Sequence, residues 1–181
     1  MKNNKSSQAA LMGMMCALSI AISFAESLIP QFIPIAGAKP GFSNIVTMFG
    51  ATTLGAPYAL GITLFKAFFA LITRGTTAFF KSLCGGLFSR AILLLLLKTN
   101  PTRIGYIGIG VLCAVFHNAG QFIVAVIILG EAVIPLAPLL TIMGVFFGII
   151  TGAIFGITSP RLQKTITAFA KNAERGRSEK C

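Results

Sequence analysis

The chain contains no aspartate. Its acids are four glutamates, Glu26, Glu131, Glu174 and Glu179, against 15 lysines and arginines. Without Asp there is no Asp-rich motif for a metal–diphosphate, and four scattered Glu give little for hard-metal chemistry. One histidine, His117, and four cysteines without a C-x-x-C pair exclude a zinc-type cluster. No G-x-x-x-x-G-K-[ST] is present, so ATP cannot be held by a P-loop. No spacing suggests a Ser–His–acid set. The expectation is a protein that is not an enzyme and carries no cofactor or metal. Charge itself is scarce, at 10% of residues, where a soluble domain has about 25%.

Apolar residues make up 55% of the chain, and the mean hydropathy is +0.87. Such a chain has too few polar residues to cover a water-facing surface, which predicts an integral membrane protein. Six apolar spans are expected, at about 9–29, 41–56, 58–73, 76–97, 104–129 and 136–158. Together they predict an all-α bundle of six transmembrane helices. Pro30 and Pro34 close the first span, and Pro160 is expected to stop the sixth. The second and third, separated only by "LGAPY", fit either two spans or one broken element.

The net charge of +11 would suit nucleic acid, but its placement points to lipid. Lys2, Lys5, Lys98, Arg103 and the basic tail after Pro160 fall on one side of the six spans, whereas Lys39 and Arg74 fall on the other. The positive-inside rule then puts residues 1–8 and 159–181 in the cytoplasm, with 9–158 as the membrane domain. In the tail, Leu162, Ile166 and Phe169 recur at helical spacing among Lys and Arg, as in a helix lying on anionic lipid; a solvated topology anchor fits equally. Lys2 and Lys5 before an apolar run, with Ser23-Phe24-Ala25 beyond, resemble a signal peptide, but the run is too long and too regular. Cys16, Cys84 and Cys113 lie inside spans and read as small packing residues.

Two stripes of small residues stand out. Gly13, Ala17, Ala21 and Ala25 recur every four residues in the first span, and Gly144, Gly148, Gly152 and Gly156 do so in the sixth. Spacing of four keeps each set on one helix face, where another backbone can approach closely. That approach is either internal packing or docking of a separate membrane subunit.

Polar groups at membrane depth form a second pattern. An ionisable side chain there costs about 2.5–3.5 kcal/mol on insertion scales. Glu26, Lys39, Asn44, Lys66, Arg74, Lys81, His117 and Gln121 all fall from mid-depth outward in this topology, and they are the candidate substrate-binding set. Their balance is positive, which suits an anion. His117 and Gln121, four apart, share a face; Asn118 is turned about 100° away and is assigned to tying the fifth span to a neighbour. For His117 an interhelical hydrogen bond and a ligand contact remain equally open. Phe65, Phe68, Phe69, Phe79 and Phe80 suit either a flat ring or lipid. Arg90, in the inner half, is expected to snorkel to the cytoplasmic interface.

"ESLIPQFIPIAGAKPGFSNIVTMFG", residues 26–50, and "HNAGQFIVAVIILG", residues 117–130, resemble the bacterial heptaprenyl diphosphate synthase component I family, also called the Gx transporter family. The matching positions are Glu26, Ser27, Ile29 and Pro30; Lys39, Gly41, Asn44, Ile45 and Val46; and His117, Asn118, Gly120 and Gln121. The synthase name implies prenyl elongation, whose Asp-rich sites are missing here, leaving at most an accessory role. The transporter name implies a likeness to the substrate-capture (S) components of energy-coupling-factor importers. Those are six-helix proteins of the cell membrane that bind vitamin-like solutes. They dock a transmembrane coupling subunit, driven by two ATPases, through an A-x-x-x-A face on the first helix. Gly13, Ala17, Ala21 and Ala25 match that face. The resemblance thus implies a solute, a coupling subunit, ATPases and lipid as partners, and no nucleic acid. An accessory in prenyl or quinone synthesis and a self-sufficient carrier are the rival expectations.

Overall fold

The computed structural model describes residues 5–28, 41–98 and 101–178. Six α-helices follow one another: α1 (Lys5–Leu28), α2 (Asn44–Thr53), α3 (Ala56–Arg74), α4 (Thr76–Lys98), α5 (Pro101–Leu129) and α6 (Ala137–Ser178). A short 3-10 helix, Glu131–Leu136, joins the last two and carries the exposed Glu131. The protein is an all-α membrane bundle. Among the described residues five helices are long and apolar enough to cross a membrane. Their outward faces are largely apolar, with Ile72 83% and Ile127 77% exposed, as lipid rather than water requires.

The breaks between helices are built by glycine. Gly55 (φ 103°) separates α2 from α3, ahead of Pro57 in the first turn of α3. Gly75 (φ 85°) separates α3 from α4 while its N–H still bonds Leu71 O. Both lie in the left-handed region where a Cβ is unfavourable. The second and third spans are therefore separate helices.

Two expected boundaries change. The second helix is not 41–56 but only 10 residues, Asn44–Thr53. At 1.5 Å per residue it is roughly 15 Å long, about half the hydrocarbon thickness. A turn at Gly41, whose carbonyl accepts from the Asn44 N–H at 2.9 Å, delays its start. The sixth helix does not stop at Pro160; it continues to Ser178. A proline inside a helix removes one hydrogen bond, and the tail beyond it has its own helical spacing.

Specific contacts fix the helix directions. Gly50 lies beside Met15 and Ile62, so α2 runs antiparallel to both α1 and α3. Gly86 meets Thr63, Gly120 meets Cys84, and Gly152 meets Ile107, which makes α3, α4, α5 and α6 successive antiparallel neighbours. The short α2 packs among α1, α3, α4 and α6. Its Phe49 ring lies 4.8 Å from that of Phe155. The core around it includes Met15, Met48, Ala59, Ile62, Leu93 and Ile109.

The two small-residue stripes have opposite fates. A Cβ on Gly148 would lie 2.5 Å from Val111 Cα, and one on Gly152 would lie 2.7 Å from Ile107 Cα. The α6 stripe is the α5–α6 contact. Gly13, Ala17, Ala21 and Ala25 are exposed, and nothing lies within 4 Å of a Cβ built on Gly13. The buried residues of α1 are Met15, Ser19, Ser23 and Glu26. Met15, Ser19 and Ser23 sit two positions, or about 200°, from stripe residues, and Glu26 falls on the same face as Ser19 and Ser23.

Candidate functional site: a buried polar cluster

The C-terminal end of α1 turns Glu26 inward, where it is 5% exposed. Ser43, just before α2, donates its N–H to Glu26 Oε1 at 3.2 Å and its hydroxyl to Oε2 at 3.3 Å. Lys66 of α3 donates from Nζ to Ser43 Oγ at 3.2 Å and to Asn44 Oδ1 at 2.7 Å. Ser43 thus relays between carboxylate and ammonium, tying α1, α2 and α3 together. Both ions are almost fully buried, Lys66 at 3%. Charges so placed persist only when paired and hydrogen-bonded.

His117 and Gln121 face this cluster from α5, 3% and 5% exposed. The Gln121 amide nitrogen lies 2.6 Å from His117 Nε2. With the amide so oriented, Gln121 donates, Nε2 accepts, and the ring proton sits on Nδ1. Nδ1 turns toward the Gly85 backbone without a regular hydrogen bond. Glycines make the room: a Cβ on Gly85 would lie 2.8 Å from Nδ1, and one on Gly41 would lie 3.2 Å from His117 Cδ2. Gly120 lets α5 approach α4 at this level, since a Cβ there would lie 2.8 Å from Cys84 O.

A small cavity opens between these groups. Its lining includes Glu26, Ser43, Lys66, Arg74, His117 and Gln121, with Ser23 and Ser82 beside them. Its volume is about 20 Å³, room for about one water. Lys66 and Arg74 against Glu26 leave its wall positive. The described candidates Glu26, Lys66, Arg74, His117 and Gln121 line it, and Asn44 bonds Lys66. Lys81 is 1% exposed on α4 but is not in this lining. Lys39 lies outside the described residues. Asn118 donates from Nδ2 to Leu140 O of α6 at 2.9 Å.

Other expectations take a different form. Phe65, Phe68 and Phe80 are about half exposed on the surface, and none of the five phenylalanines is among the described residues that line the cavity. Arg90 does not simply snorkel: its Nη1 is enclosed without a hydrogen-bond partner. Sequence reasoning left Ser23, Ser82 and the glycines around His117 out of the site. Ser23 had a signal, because Ser19, Ser23 and Glu26 recur at helical spacing. Gly85-Gly86 within an apolar span was another. Among the described residues no three His, Cys, Asp or Glu side chains converge as metal ligands would.

The family model described as heptaprenyl diphosphate synthase component I matches residues 15–158. No curated protein and no solved structure matches the chain.

Proposed function

The chain belongs to the heptaprenyl diphosphate synthase component I family, and from that premise we propose that it is the substrate-binding membrane subunit of an energy-coupling-factor-type importer. The observation that carries this reading is the two-faced α1. One face delivers Glu26 to a buried, positively walled polar cluster. The opposite face offers Gly13, Ala17, Ala21 and Ala25 to the surroundings. A capture subunit needs both: a site for solute and a close-contact surface for the subunit that moves it.

In this reading the solute is a small, vitamin-like or cofactor-precursor anion. Lys66 and Arg74 supply charge-assisted donors, and His117 and Gln121 orient the ligand. Lys39, Asn44 and Lys81 complete the proposed binding set. The chain performs no catalysis and has no P-loop, so the energy comes from ATPases reached through a transmembrane coupling subunit. It resides in the bacterial cytoplasmic membrane with both termini inside.

Affinity purification of the full chain from its native membrane tests the proposal. The expected result is co-purification of a coupling subunit and ATPases. A soluble prenyl synthase in their place would overturn it in favour of an accessory in prenyl diphosphate synthesis. Solute uptake by the purified chain alone in liposomes would overturn it in favour of an independent carrier.

A further inference from the structure

A second, larger space adjoins the polar cluster. It is a groove of about 570 Å³, within the roughly 300–1,000 Å³ of small-molecule sites. Leu18 and Ile22 of α1 form one wall, Ile154 of α6 the other, and Phe42, Ile45 and Phe49 the floor. Its walls face the lipid side: Leu18 is 54% and Ile154 43% exposed. Glu26 lines both the groove and the polar cavity. Because Ser43 holds both Glu26 oxygens, that carboxylate is turned to α2 and partly neutralised through Lys66. What lies beyond it is positive.

We infer that the site takes a single-chain amphiphile with a small acidic head, the head on Lys66 and Arg74 and the chain along the groove between α1 and α6. Such a ligand would reach the site sideways from the bilayer. The polar cavity has space for about one water, so only a charged oxygen of the head enters it, in place of that water; the apolar space beside it accepts the bulk. Lipid at the mouth of the groove supplies a path on which the apolar chain never leaves a hydrocarbon environment. The inference rests on the reading of the polar cluster as the substrate site, and it narrows the substrate class.

The chain has no tryptophan, which permits a clean test. Ile154→Trp places one fluorophore in the groove wall, and Ile127→Trp places one on the exposed face of α5. Each full-length variant is put into phosphatidylcholine nanodiscs, and 9,10-dibromostearate is added as quencher. The expected result is half-quenching of the groove tryptophan at a mole fraction at least tenfold below that for the control. Lys66→Ala with Arg74→Ala should remove the difference. Ala25→Leu, which narrows the groove without touching the polar cluster, should also reduce it and covers the case in which the double variant misfolds. Equal quenching of the two tryptophans would overturn the inference. So would an equal preference for brominated phosphatidylcholine, which would assign the groove to ordinary two-chain lipid. Because the isolated chain is used, failure here together with co-purifying ATPases removes only the amphiphile. Success here with no ATPases removes the importer and keeps the binding site.

Discussion

Helices α1 and α6 carry the same device, small residues every fourth position, and use it in opposite directions. On α6 the stripe is all glycine and faces α5, whose backbone comes so close that no Cβ fits at Gly148 or Gly152. On α1 the stripe is mostly alanine and exposed, with open space around Gly13. The stripe itself does not decide between these outcomes; the opposite face does. Opposite the α1 stripe lie Ser19, Ser23 and Glu26, whose exposure to lipid would be costly. Burying them turns the alanines out. The back of the α6 stripe carries Ile142, Phe146, Ile149 and Ile157, all well exposed and at home in lipid, so the glycines turn in.

The largest effect expected follows from that contrast. Gly152→Leu would drive a side chain into the Ile107 backbone, which cannot move aside as a flexible side chain could. Overpacking a core costs about 1–3 kcal/mol and sometimes more, and here the whole α5–α6 contact must open. Size-exclusion chromatography in mild detergent should show loss of the monodisperse species. A normal elution profile would mean that the α5–α6 contact is not tight.

The α1 stripe should behave in reverse. Gly13→Leu with Ala17→Leu meets open space, so the isolated chain should keep its thermal midpoint, with a change within about 0.5 kcal/mol. Recovery of coupling subunit and ATPases in a pull-down should fall at least tenfold. Intact assembly with this double variant would show that docking does not use the α1 stripe.

Much of this was legible in the sequence. The spans emerged from hydropathy, and the glycine–proline breaks at 55–57 and at 75 marked real helix ends. Of the polar residues expected at depth, Glu26, Lys66, Arg74, His117 and Gln121 line one cavity and Asn44 bonds Lys66, while Lys81 is buried outside that lining. What stayed hidden depends on partners across space. Neither stripe names its neighbour, since spacing encodes a face but not what covers it. Gly85-Gly86 marked a place where something comes close, but not that it would be His117. Pro160 was expected to end a helix, yet losing one hydrogen bond did not outweigh the helical tendency on either side. The sequence also misplaced the start of α2, because the turn at Gly41 is set by its contacts with Asn44 and His117.

The polar face that turns the α1 stripe outward can be attacked directly. Lys66→Ala removes the buried ammonium that offsets Glu26 through Ser43. Removing one member of a buried charge pair costs about 3–5 kcal/mol. Unfolding of the isolated chain should occur at clearly lower denaturant, and Lys66→Ala with Glu26→Gln should recover much of the loss. If the double variant is no better than the single, the Ser43-bridged pair does not hold α1 in place.

The smallest effect probes where the α6 stripe meets a polar tie. A Cβ on Gly144 would lie 2.9 Å from Asn118 Nδ2, so this glycine makes room for the amide that bonds Leu140 O. Interhelical hydrogen bonds in lipid are worth about 0.6 kcal/mol on average, and Asn118→Ala should destabilise the isolated chain by about that much. Gly144→Ala should cost more in the native background than in the Asn118→Ala background, because the amide it displaces is then absent. A double-mutant cycle on the equilibrium unfolding of the four proteins measures the difference. Strict additivity would mean that Gly144 serves only the backbone contact with Val115 and that the amide is placed independently. Coupling would show that the α6 stripe does more than admit a neighbouring helix: its N-terminal end also sets the position of Asn118, one residue along α5 from His117.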